Sequence, residues 1–407
     1  MSVIPTRHYA LRTPHLIGRT TETDRIQRAV KDWLRSYAFY FYGPGGIGKT
    51  RLLEEIGDRI KQVSFSTRLV GWSGIIDLYL SGMHSNSGIE KAICEAIDPD
   101  REYFAHYWDM RSNFEHQHRE HMDAHQREML RTQLAAAFIG AFNTLAGKTR
   151  VVLTFDTVEL IQYENDLIQT ICQVQEEAIT VKTWLLETLP QLNNTVIIFA
   201  GRPKSMKLDA DLRAAFADKS DWCYAAYELA GFDEAETAYY FQEIIAMAIR
   251  QKRMRHTIEV EPAWLYAYTG GRPIRLALLI DLAVYSGGDF EDLFSRRLSD
   301  HRSPDERWHE IAQRVIARIQ ELETGYPVVD TLPYLALTRQ GLDAKLLHYL
   351  EPGWSLDECQ QRLDGMKRFT FVKSRPDWPR IYLHDEMYDV LDDPTMGCMA
   401  LPDRIRW

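Results

Sequence analysis

Cysteine is scarce in this chain of 407 residues: Cys94, Cys172, Cys223, Cys359 and Cys398 lie far apart, with no C-x-x-C spacing. That excludes a zinc-ribbon pattern and a disulfide framework, and predicts free thiols in a reducing compartment. No apolar run approaches the ~18–20 residues of a membrane span, and no basic-then-apolar leader opens the chain, so a cytoplasmic protein without a membrane partner is expected. Positive charge is also short. With 48 Lys and Arg against 58 Asp and Glu, the formal net charge is −10, which argues against a broad basic surface for nucleic acid. A local basic patch stays open. No repeat recurs every 20 to 50 residues, which excludes a solenoid or propeller. The length suits two or three domains.

What is present begins with Gly43-Pro44-Gly45-Gly46-Ile47-Gly48-Lys49-Thr50, which fits G-x-x-x-x-G-K-[ST]. It follows the apolar run 38–42 and precedes a helical stretch, 51–63, opened by Arg51. Glycines there let successive backbone N–H groups curl around phosphate oxygens, and the helix N-terminus adds its positive end. Lys49 is suited to the β/γ-phosphates and Thr50 to Mg²⁺, so ATP or ADP is the expected cofactor.

Val151-Val152-Leu153-Thr154-Phe155-Asp156 reads as a buried parallel strand ending in a carboxylate. Asp156 is the expected second half of the metal site, opposite Thr50. Glu159 is the candidate to position or deprotonate the attacking water, the alternative being a surface or capping carboxylate. A further buried strand, 196–200, closes on Gly201-Arg202-Pro203, and an arginine at that edge is placed to sense a γ-phosphate. Strands near 39–42, 69–76, 151–155 and 196–200, with a fifth at 224–229, alternate with helices and imply a doubly wound α/β sheet. Ligands of such sheets sit beyond the carboxyl ends of the strands.

Within a helical region over 101–147, Leu130, Leu134, Phe138, Phe142 and Leu145 recur at helical spacing and predict a packed face. The preceding half is rich in histidine. His118, His121 and His125 share one helical face, a spacing that could gather imidazoles on a metal, but no fourth ligand lies nearby and a solvated face is the preferred reading. From Gly231 the chain turns helical: 232–255 capped by Asp233, 262–268, then 274–285 after Thr269-Gly270-Gly271-Arg272-Pro273. Helical pieces at 307–324, 332–337, 343–350 and 355–366 are followed by two strand-like segments, 369–373 and 380–383. Helices and then a hairpin are the pattern of a winged helix.

The order of these motifs resembles STAND-type ATPases of bacterial kind, signal-transducing relatives of AAA+ proteins that include NB-ARC and NACHT switches. The similarity covers roughly residues 16–391. It adds Leu16-Ile17-Gly18-Arg19 as an hhGR segment that would lie against the adenine, Arg202 as a sensor-1 arginine, and Gly271-Arg272-Pro273 as the G-x-P of the lid. Arg272 or Arg275 could then reach a phosphate; the sequence does not choose between them, and the alternative is that either is simply solvated. Leu383-His384-Asp385 is similar to the MHD motif, which implies that His384 contacts the ADP β-phosphate. One departure is Thr157, standing where many AAA+ proteins carry an acidic residue after the Walker B aspartate.

The resemblance implies a lead-in over 1–15, a P-loop α/β domain over 16–230, a helical lid over 231–290, a winged helix over 305–395 and a tail over 396–407. It implies a nucleotide-controlled conformational and oligomerisation switch with slow ATP hydrolysis and self-association on ATP binding. Either the switch works with a sensor or effector in trans, or the chain stops where a sensor array would begin. The alternative is an AAA+-like initiator or transposition-type ATPase whose winged helix binds DNA. Against it stand Asp357, Glu358 and Asp364 beside Arg362 in the expected recognition helix.

Overall fold

The computed structural model describes residues 13, 15–63, 70–117, 124–162, 181–202, 207–217, 219–285, 303, 305–308, 311–312, 328–338, 341–369, 371–375, 378–384 and 387. Two compact units are formed: a sheet unit of Arg19–Pro44 and Lys49–Leu229, and a helical unit of Met1–Gly18, Gly45–Gly48 and Ala230–Trp407.

The sheet unit runs α1 (Thr20–Lys31), β1 (Ser36–Tyr42), α2 (Lys49–Val63), β2 (Val70–Asp77), α3 (Asn86–Ile97), α4 (Ala105–Gln117) and α5 (Ala124–Ala146). It continues through β3 (Arg150–Asp156), a 3-10 turn (Val158–Gln162), α6 (Val181–Glu187), β4 (Thr195–Gly201), α7 (Lys207–Ala217) and β5 (Trp222–Glu228). The five strands form one sheet in the order β2-β3-β4-β1-β5, every pairing parallel. Every residue of β3 and of β4 is buried, as mostly apolar runs require of strands covered on both faces. This is the α/β P-loop fold that the sequence implies, with a helical C-terminal region after it.

Helix periodicity is equally informative in α5, where Leu134, Phe138, Phe142 and Leu145 are buried in one cluster with Phe104, Tyr107 and Trp184. Among the described residues the helical region over 101–147 is seen as α4 and α5. Helix α1 stops at Lys31, because Asp32 turns extended and uses its carboxylate locally. Its Oδ1 accepts Leu34 N–H and its Oδ2 the Tyr37 hydroxyl. Leu34, just beyond the helix, is left 91% exposed. Arg150, fully buried at the start of β3, donates to the Ala29 carbonyl and to Asn194 Oδ1. Burial pulls its pKa down to about 10.

The helical unit contains α8 (Glu234–Arg250), α9 (Pro262–Thr269), α10 (Pro273–Tyr285), α11 (Val328–Leu337), α12 (Ala344–Leu350), α13 (Leu356–Met366) and the antiparallel hairpin β6 (Val372–Arg375) and β7 (Trp378–Leu383). Asp233 and Glu236 close a reciprocal capping box on α8. One apolar cluster joins Phe241, Leu278, Leu335, Leu347, Leu363 and Phe369, so 230–285 and the elements from 328 onward share a core. Three helices followed by a hairpin are present, and a bridge between Leu342 and Ile381 ties the α11–α12 connection to β7. The lead-in up to residue 12, Pro14, Pro203, His118, His121, Asp385, all of 163–180, most of 286–305 and 307–324, and the tail 396–407 lie outside the described residues. Among the described residues no helix is long and apolar enough to cross a membrane.

Candidate functional site

Parallel pairing sets the site, because strands in register end together. Tyr42 lies opposite Gly201 and Glu228, and Asp77 opposite Asp156. The chain leaves β1 directly into the glycine loop, whose Gly46 (φ 70°) and Gly48 (φ 97°) take left-handed backbone angles that suit glycine. A Cβ on Gly48 would meet nothing within 4 Å, whereas one on Gly46 would fall 2.2 Å from Ile274 Cγ2 within the helical unit. Lys49 opens α2, and its Nζ donates to the Gly43 and Pro44 carbonyls at 2.8 Å each. Arg51 lies on α2 beside Glu54 and Glu55, at 3.6 and 3.8 Å.

Thr50 and Asp156 meet. The Thr50 hydroxyl donates to Asp156 Oδ2 at 2.6 Å, across 106 residues of sequence. Asp156 is only 4% exposed, and its Oδ1 accepts the Thr157 N–H at 2.9 Å. Hydroxyl and carboxylate oxygens are the donor set that a hard cation such as Mg²⁺ takes, and the space beside Gly48 is open, so the residues present fit a magnesium-bound nucleotide.

Glu159 is buried in the 3-10 turn and faces Arg202: its Oε2 accepts Arg202 N–H at 3.1 Å, and Oε1 lies 3.6 Å from Arg202 Nε. Gly201 makes this approach possible, since a Cβ there would sit 2.7 Å from Val158 Cγ2 and 2.9 Å from Glu159 Oε2. Beneath them, burial and then the Glu159 charge raise the Tyr40 pKa, keeping its phenol protonated.

The remaining expected residues divide between the units. Arg19, in the sheet unit, has a left-handed backbone and accepts two hydrogen bonds from Thr23 at its carbonyl. In the helical unit Leu16 is half-buried, Ile17 packs into the core, and a Cβ on Gly18 would fall 2.7 Å from Glu236 Oε1. Pro273 begins α10. Arg272 and Arg275 both reach Asp305 Oδ1, at 3.3 and 2.7 Å, and Arg275 lies over the Trp308 ring. His384 is half-buried, its N–H donating to the Phe371 carbonyl at the foot of the hairpin. Among the described residues no three His, Cys, Asp or Glu side chains gather into a metal site.

Three residues escaped the sequence reading: Asp77, Thr157 as a hydrogen-bonding residue, and Gly201. A signal existed for the first, since β2 ends in an aspartate just as β3 does.

No protein-family model matches the chain, and no curated protein matches it. Among solved structures it is similar to a Signal Transduction ATPase with Numerous Domains bearing a tetratricopeptide repeat sensor, from Pyrococcus horikoshii. Identity is 13%, the TM-score is 0.49, and the match covers 96% of this chain and 44% of that one. The chain therefore spans less than half the length of that structure. It is also similar to the ORC2 protein of Aeropyrum pernix in its ADPNP–ADP complexes, at 14% identity, TM-score 0.41 and coverage of 97% and 98%. AMPPCP-bound DnaA from Aquifex aeolicus gives 14% identity, TM-score 0.27 and coverage of 80% and 86%. With TM-scores below 0.5, these likenesses assign no role to any residue here.

Proposed function

We propose that this protein binds ATP and ADP through the loop Gly43–Thr50, with slow hydrolysis, and acts as a nucleotide-controlled conformational and oligomerisation switch of STAND type. One observation carries the nucleotide reading: the Thr50 hydroxyl and the Asp156 carboxylate, each expected at the metal, lie 2.6 Å apart at the end of a parallel sheet. Thr50 and Asp156 would hold Mg²⁺, which when bound supplies positive charge against the triphosphate. Lys49, whose Nζ lies on the Gly43 and Pro44 carbonyls, would bind phosphate oxygens. Glu159, which accepts the Arg202 N–H, is the residue that would orient the attacking water, and Arg202 the one that would meet the γ-phosphate. Pro273 and His384 are assigned to nucleotide sensing on the family resemblance.

Slow turnover suits a switch, because the ATP state has to last. Moving a two-state equilibrium from about 1:99 to 99:1 requires about 5.5 kcal/mol of differential binding, within reach of a few charge-assisted phosphate contacts. A DNA-binding reading is less favoured. Arg362, on α13, stacks over Trp354 at 3.9 Å and pairs with Glu358 and Asp330, so its charge is already engaged.

The test is calorimetric titration of ATP and ADP into the full chain and into Lys49→Ala. Micromolar binding to the parent and at least about a tenfold loss in the variant, one full step of 1.4 kcal/mol, is expected with an unchanged melting profile. Equal affinity in the two proteins would overturn the nucleotide assignment.

A further inference from the structure

The end of β2 carries a residue to which the proposed function gives no task. Asp77 is fully buried and is the register partner of Asp156. Two neighbouring carboxylates at the end of a sheet repel unless something holds them. Thr157 lies between them. Its hydroxyl donates to Asp77 Oδ1 at 2.8 Å and its N–H donates to Asp156 Oδ1 at 2.9 Å. The same Asp77 oxygen accepts Tyr79 N–H at 3.0 Å, and the chain returns when Leu78 N–H donates to the Asp156 carbonyl.

Thr157 takes a left-handed backbone with φ 60°, where a β-branched side chain is an outlier. Such strain persists only where surrounding contacts over-determine it, and it clusters at functional sites. Here the contacts are the two aspartates. The left-handed turn aims the Thr157 N–H back at Asp156 Oδ1, leaving Oδ2 directed at Thr50 Oγ1. Loss of the Thr157 hydroxyl removes the side-chain link between this turn and the buried Asp77 carboxylate, and Asp156 gains rotamer freedom.

We propose that Asp77 and Thr157 are positioning residues that fix the rotamer of Asp156 and thereby set the affinity of the Thr50–Asp156 site for a divalent cation. The proposal rests on the nucleotide reading above. It also accounts for threonine at the position after the strand-terminal aspartate: the residue there supplies a hydrogen-bond relay to β2 in place of a catalytic carboxylate. Partners behind ligating carboxylates commonly set metal affinity by about 10–100-fold.

The experiment measures Mn²⁺ binding by electron paramagnetic resonance to the full chain loaded with a non-hydrolysable ATP analogue, together with analogue affinity in EDTA. Thr157→Val removes the hydroxyl at constant shape. Thr157→Gly removes it while accepting the left-handed backbone without strain, which covers the case in which valine fails to fold. Both are expected to weaken Mn²⁺ by about tenfold or more with metal-free analogue affinity unchanged. Thr157→Ser and Asp77→Asn, which keep the donor and the acceptor oxygen, are expected to stay near the parent. Parental Mn²⁺ affinity in Thr157→Gly, or equal losses with and without metal, would overturn the proposal alone. A parent chain that holds no analogue in EDTA or with metal would remove the nucleotide reading itself.

Discussion

At the scale of single residues, two glycines of opposite context give a direct check on the packing. Gly201 closes β4 against Val158 and Glu159, and an added Cβ would sit within 2.9 Å of both side chains. Gly140 lies in the interior of α5 with nothing within 4 Å of an added Cβ. Gly201→Ala is expected to lower unfolding free energy by about 1–3 kcal/mol through overpacking. Gly140→Ala is expected to raise it by about 0.5–1 kcal/mol through helix propensity. Urea titrations of the two variants read the opposite signs, and a neutral Gly201→Ala would mean that Glu159 is not confined as described. These residues also show what a linear reading recovers. Thr50 and Asp156 were legible, because each belongs to a local pattern with a known chemical demand. The Glu159–Arg202 pair spans 43 residues and the Asp77–Thr157 pair 80, and no spacing rule encodes either. A left-handed threonine contradicts its own propensity, so only tertiary contacts could place it there.

At the scale of elements, capping joins two pieces of the helical unit through one carboxylate. Asp343 accepts Leu346 N–H with Oδ1 as the N-cap of α12, while Oδ2 takes Arg380 Nε from β7 at 3.0 Å. Burial alone would raise the Asp343 pKa, but the Leu346 N–H and the Arg380 guanidinium outweigh it and hold the carboxyl below its ordinary value. Asp343→Ala loses cap and ion pair and should cost about 1 kcal/mol or somewhat more; Asp343→Asn keeps the cap and should cost less. The pH sign follows from the lowered folded pKa: the charge-dependent part is fully present above the ordinary carboxylate pKa and is lost as pH falls through the folded value. The stability gap between parent and Asp343→Asn should therefore close in acid, and a gap constant from pH 6 to pH 3 would contradict the pairing. Element types were readable because their periods differ, 2 for strands and about 3.6 for helices. Ends were less so: α1 stops at Asp32 through that residue's carboxylate contacts with Leu34 and Tyr37, which periodicity does not register.

At the scale of the whole molecule, the five strands and their alternation with helices were legible, since buried parallel strands announce themselves as apolar runs. The joining of Gly45–Gly48 to the helical unit was not, because it depends on contacts such as Gly46 with Ile274 that lie more than 200 residues apart. Nor did the sequence distinguish Arg272 from Arg275. The two share one carboxylate, Asp305.

The strand order also governs how the protein is made. Strand β1 is the first to leave the ribosome, yet its neighbours are β4 and β5, and β4 begins only after residues 43–194 have been added. At about 5–20 residues per second, the glycine loop spends roughly 8–30 s attached to an unpaired aromatic strand. During that interval, among the described strands, only β2 and β3 can pair, and a two-stranded ribbon is marginal in water. A chain ended at residue 190 should accordingly show no cooperative thermal transition and should be cut throughout by a non-specific protease, whereas one ended at residue 229 should resist within the sheet. Cooperative melting of the shorter fragment would contradict the strand order. An unpaired aromatic strand is prone to misassociation, so Ser36–Tyr42 is the stretch where a chaperone or a neighbouring nascent chain would bind first.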